Sequence, residues 1–143
     1  MQLANFTLDR DGISLNWQGH NLDLHNCFDF ESLQYKPLSQ QVTLHWVRSA
    51  ERWAKNTVLT GFKLAFKNVT FFRVRERDAA YPPTEDCCLM SMSFHPVAAR
   101  DEFDTIYFSH SSDDDLTFFF QSEWGIKISA AAVALIPLAS ESG

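Results

Sequence analysis

Period-two alternation of apolar and polar residues between Thr60 and Phe94 constrains this chain more than any other feature. Phe62, Leu64 and Phe66 alternate with Gly61, Lys63, Ala65 and Lys67. After an interruption at Asn68 the pattern resumes as Val69, Phe71 or Phe72, and Val74, beside Arg73, Arg75 and Arg77. Tyr81-Pro82-Pro83-Thr84-Glu85-Asp86 reads as a turn-rich connector. Beyond it Cys88, Met90, Met92 and Phe94 alternate with Leu89, Ser91, Ser93 and His95. A strand with one buried face writes this period into its sequence, so the stretch reads as the centre of an antiparallel sheet.

The flanking segments repeat the pattern in shorter pieces. Phe6 and Leu8 precede Asp9-Arg10-Asp11-Gly12, and Ile13, Leu15 and Trp17 follow, which is a hairpin signal. Gln18-Gly19-His20-Asn21 reads as a second turn, with Leu22 and Leu24 after it. Phe28 and Phe30 form a further strand that Pro37 breaks, and Val42, Leu44 and Trp46 another. Ala50 to Lys55 suits a helix of a turn or two. Phe103 to Phe108 reads as a strand with Ile106 and Phe108 on one face, Ser109 to Asp115 as a solvated turn, and Leu116 to Gln121 as a strand. Glu123-Trp124-Gly125 closes a hairpin onto Ile126 and Ile128, while Ala130 to Leu138 fits a closing strand or a short buried helix. These segments add up to an all-β, mainly antiparallel fold with at most one or two short helices. Its form is a two-layer sandwich or partly open barrel of about nine short strands.

Length suits a single domain over residues 1–143, with 139–143 as a frayed tail. Thirteen Phe, four Trp and three Tyr supply enough apolar surface for a core without disulfides. The first residues show no signal-peptide pattern, and no apolar run approaches a membrane span. Three cysteines, two of them adjacent, suit a reduced cytoplasmic setting. The net charge of −6 is unevenly spread: residues 1–41 carry −3, residues 42–77 carry +6 and residues 78–143 carry −9. Such blocks either neutralise one another across strands or present differently charged faces.

Several constellations could carry chemistry. His20, His25 and Cys27, with Asp23 and Asp29 nearby, offer zinc-type ligands without a zinc spacing, and read as a polar rim with no metal. Cys87 and Cys88 point to opposite faces of a strand, so Cys88 reads as core, and His95 lies too far along to act as its base. Asp113-Asp114-Asp115 lacks a calcium-loop spacing. Arg73, Arg75 and Arg77 share one face of a strand and come close to Lys63 and Lys67 if those strands pair, but the acidic total opposes nucleic-acid binding, and cross-strand ion pairs are expected instead. The chain has no Gly-rich phosphate loop, nucleophile elbow or metalloprotease motif.

The segment Phe66-Lys67-Asn68-Val69-Thr70-Phe71-Phe72-Arg73-Val74-Arg75-Glu76-Arg77-Asp78 is followed by Pro82, Glu85, Asp86 and Leu89. Asp114 to Phe118 and Trp124 to Ala130 complete the pattern. Together they resemble small bacterial β-proteins, some of which accompany contact-dependent or secreted toxins and act as immunity proteins. The likeness spans residues 60–135, rests on hydrophobic pattern and carries no catalytic residues over.

The expected function is therefore a non-enzymatic, cytoplasmic protein-interaction domain, with an immunity-type inhibitor of a toxin-like protein as one form of it, needing no cofactor. Glu85, Asp86, Asp113, Asp114, Asp115 and Trp124 are its candidate contacts, since acidic surfaces speed association with basic partners. The alternative is a small-ligand binder or enzyme with an aromatic-lined pocket, for which His25, His45 and Tyr107 are the polar candidates. Self-association through a strand edge is compatible with either.

Overall fold

The computed structural model describes residues 1–108 and 111–138, so the expected frayed tail lies outside the described residues. Among the described residues ten strands form two sheets. The short ones are β1 (Gln2–Leu3), β2 (Thr7–Leu8), β3 (Ser14–Trp17) and β4 (His20–Asp23). The longer ones are β5 (Phe28–Lys36), β6 (Gln41–Arg48), β7 (Gly61–Arg75), β8 (Leu89–His95), β9 (Asp115–Phe120) and β10 (Gly125–Leu138). The large sheet runs β5-β6-β7-β10-β9-β8 and is antiparallel throughout, except that β1 joins β10 in parallel. The small sheet is β2-β3-β4. The fold is all-β, a curled half-barrel with a small second sheet beside it.

Local chemistry explains the turns. Asp11 accepts from the amides of Ile13 and Ser14, both at 2.9 Å, and Gly12 takes a φ of +74°, which turns β2 into β3. Gln18 and Gly19 both have positive φ, as a two-residue hairpin of the primed type requires. Where a short helix is expected, a 3₁₀ turn covers Arg52–Ala54. Ala130 to Leu138 is strand, the last part of β10.

Two departures from the expected pattern shape the barrel. The Thr60–Val74 alternation is one continuous strand, not two, and Asn68 at φ +55° sits inside it. Two residues further on, Thr70 is left without a partner in β10, and the register slips by one residue between Ser129 and Ala130. Buried Phe66 and Val69 are three residues apart, as are their partners Val133 and Ala130. Both strands therefore swap the parity of their inward face at the same place, and the sheet bends there. The second departure is in β8, where the register shifts between Leu89 and Ser91. The bulge puts Leu89, Met92 and Phe94 inside and leaves Met90 exposed and Cys88 half-buried, so the expected Cys88–Met90 core face is corrected.

The curl is filled by rings. Trp46 stacks on Phe62 with centroids 5.5 Å apart, and Phe118 touches both Trp46 and Phe66. Phe30 on β5 reaches across to Phe120 on β9 at 5.1 Å and to Trp124 at 5.4 Å, joining the two ends of the curl. Phe6, Leu15, Leu22 and Leu24 bring the small sheet into the same core. The outer edge of β8 is covered by this sheet, since the Met92 amide donates to the Gly12 carbonyl at 2.7 Å.

Candidate functional site

Lys127 lies between Ile126 and Ile128, so a strand period sends it to the convex face of the sheet. That face is not solvated here. The segment between β8 and β9 crosses it, and Lys127 has no exposed surface. Its ammonium donates to the carbonyls of Ala99 at 2.7 Å and Glu102 at 2.5 Å, and lies 3.3 Å from His95 Nδ1. An ammonium has no acceptor, so His95 Nδ1 accepts and the imidazole is neutral. Burial, then the Lys127 charge, hold the His95 pKa below the usual imidazole range. Burial likewise brings Lys127 down to about 8, against the opposing pull of Asp115 and Glu102.

Around this pair the loop is tied at further points. Asp115, fully buried, takes a two-point bond from Arg100 at 3.0 and 3.1 Å, and the Arg100 guanidinium lies 3.7 Å over the Phe71 ring. The Tyr107 hydroxyl donates to Glu102, which raises the Tyr107 pKa. Phe103 packs so closely on Gly125 that a β-carbon there would sit 2.4 Å from its ring. Phe103 to Phe108 is consequently irregular loop and not the expected strand. Its residues answer to buried charges and carbonyls, not to a neighbouring strand.

Beside the loop, a groove of about 310 Å³ opens between the first hairpin and β8. Leu3, Leu8, Met92, Phe94, Ile106 and Phe108 make its apolar walls. Tyr107 lines it too, whereas the other two expected pocket residues, His25 and His45, lie elsewhere. His45 is half-buried on β6 with an unpartnered Nε2, its pKa lowered by burial and by Lys63.

The expected acidic contacts separate into different environments. Asp113 is exposed. Asp114 and Asp115 are buried, the first accepting from the Ser111 amide and hydroxyl, the second held by Arg100, so the solvated-turn reading is corrected for both. Asp86 binds Arg77 at 2.8 Å and the Ser122 hydroxyl at 2.5 Å. Burial pushes its carboxyl upward, but those two partners outweigh it and hold the pKa low. Glu85 is half-buried in the 3₁₀ turn Pro83–Cys87. Trp124 is stacked on Phe120 at 4.3 Å with its indole N–H on the Asp86 carbonyl, which makes it part of the barrel seam. Arg73 and Arg77 pair with Asp101 and Asp86 from loops, while Arg75 lies over Phe103 and Phe119.

His25 arrives beside Cys88, a juxtaposition the sequence spacing hid. The two are 3.5 Å apart through Nδ1, but the same nitrogen lies 2.6 Å from the Leu89 carbonyl. Only a protonated Nδ1 can bond that oxygen, so it has no lone pair to accept the thiol proton. Burial, with Cys87, Glu85 and Asp29, also pushes the Cys88 thiol up, away from the reactive thiolate. Cys27, Cys87 and Cys88 are all free thiols. Among the described residues no three His, Cys, Asp or Glu side chains are grouped to hold a metal, and no helix is long and apolar enough to cross a membrane.

These elements define a half-barrel β-protein with a buried-lysine loop anchor and an apolar side groove. Compared with known proteins, the chain matches no family model, no curated protein and no solved structure.

Proposed function

We propose that this chain is a non-enzymatic protein-interaction domain, working in the cytoplasm as an immunity-type inhibitor of a basic, toxin-like protein. The observation that carries the reading is Phe108, 90% exposed on a loop whose exposed charges are acidic. Asp101, Glu102, Asp104 and Asp113 are all exposed on this segment, which belongs to the −9 part of the chain. An exposed aromatic on a segment whose exposed charges are acidic suits a partner that brings an apolar pocket and lysines or arginines. The Lys127 anchor holds the loop in place before any partner arrives, so less ordering is needed on binding. The three free thiols suit a reduced compartment.

The test is binding to the product of a neighbouring toxin-like gene. Association is expected to slow as salt is raised, because steering is screened. Phe108→Ala is expected to weaken binding by about tenfold or more, and Asp104→Lys to slow association. A host that encodes no such neighbour and yields no partner to the immobilised protein would remove the reading.

A further inference from the structure

The groove beside the first hairpin is apolar along its walls, and its polar groups can be sorted by what they already bind. Asp9 accepts from the Asn16 amide through one oxygen and from the Asp11 amide through the other, both at 3.1 Å. Ser93 donates to the Thr105 carbonyl, and the Tyr107 hydroxyl is on Glu102. Two lining side chains have no hydrogen bond or ion pair among the described residues: the Arg10 guanidinium and the Thr7 hydroxyl. Both are exposed, and both can donate. The volume is at the lower end of what small-molecule sites occupy.

We infer that this groove binds a small apolar carboxylate, its alkyl or aryl body between Leu8, Met92, Ile106 and Phe108 and its carboxylate at Arg10. A guanidinium matches a carboxylate at two points, and beside low-dielectric walls that pairing is stronger than in open water. A neutral apolar ligand would leave Arg10 unused. A cation would meet the Arg10 charge, and Asp9, the one carboxylate in the lining among the described residues, already accepts through both oxygens and feels the charge of Arg10. The inference goes beyond the protein-partner reading, with which it shares Phe108, and its test needs only the isolated chain.

The experiment compares two fluorescent probes with nearly the same rings, the sulfonate anilinonaphthalene sulfonate and the neutral phenylnaphthylamine. The sulfonate stands in for the carboxylate. Saturable binding of the anionic probe at one site is expected, with displacement by octanoate. Arg10→Met, which keeps the apolar stem, is expected to weaken the anionic probe at least fivefold and leave the neutral one within twofold. Ile106→Trp is expected to fill the groove and block both probes. Should that variant fail to fold by circular dichroism, Thr7→Trp fills the same space from the hairpin side. The inference is overturned if the anionic probe shows no saturable site, if octanoate fails to displace it, or if Arg10→Met leaves its affinity unchanged.

Discussion

Lys127 carries no exposed surface, yet its ammonium has three acceptors, so burial of the charge is compensated by bonds and not by water. Its linkage to folding has a definite sign. The folded chain releases the Lys127 proton near pH 8, the unfolded chain only near 10.5. Between those values the unfolded state binds more protons, so stability should rise with pH there. His95 acts the same way lower down. Its folded pKa lies below 6.5, so as pH falls through 6.5 the unfolded chain takes up a proton that the folded one refuses, and stability drops. Lys127, Glu102 and Thr105 face that ring, with Tyr107 edge-on at 5.0 Å. Unfolding by urea between pH 5 and 7 should show the wild type losing stability faster than His95→Gln, with His45 contributing equally to both. Parallel slopes would mean that His95 is protonated as readily inside the protein as in the unfolded chain.

At the scale of elements, the loop before β9 and the start of β10 are matched by shape as well as charge. Gly125→Ala would place a β-carbon 2.4 Å from Phe103 Cδ1, and the buried ring has little room to move. Overpacking of this kind costs about 1–3 kcal/mol. Combining it with Phe103→Leu should recover part of the loss, so a double-mutant cycle measured by urea unfolding should give a coupling of about 0.5–2 kcal/mol. Additive losses would show that the two residues do not meet. Strand positions were legible in the sequence because alternation survives in a half-buried sheet: all but the last residue of Leu116 to Gln121 lies in β9, and Val42 to Trp46 lies in β6. Faces were less legible wherever a bulge intervenes, because one extra residue reverses the parity, as at Met90 and beyond Asn68. The loop anchor was not legible at all. Lys127 beside Ile126 and Ile128 has the same local pattern whether its face meets water or a covering loop, and the cover comes from residues 28 and 25 positions earlier. Asp115 shows the same limit, since its guanidinium partner, Arg100, comes from 15 residues earlier.

For the molecule as a whole, the question is what keeps a seven-stranded sheet curled when its end strands, β5 and β8, share no backbone ladder among the described residues. Bends at Asn68 and Thr70 set the curvature, and the ends meet through rings and through His25, whose Nδ1 bonds the Leu89 carbonyl of β8 at 2.6 Å. Phe30 from β5 lies against Phe120 and Trp124 on one side and Trp46 on the other. Ring pairs of this geometry are worth about 0.5–1.5 kcal/mol each beyond the area they bury. Phe30→Ala should therefore cost about 2–3 kcal/mol, below the range for a fully buried phenylalanine because this one is only half-buried. The consequence should also be local. β5 is the end strand, paired only with β6, so losing the seam should raise amide exchange across Phe28–Lys36 before it touches β7 and β10, which pair along nearly their whole length. Hydrogen exchange by mass spectrometry on the wild type and the variant reads this directly. Unchanged exchange in β5 would mean that the ladder to β6 and the His25 bond hold the curl without the rings; a uniform rise would mean that seam and ladder open as one cooperative unit.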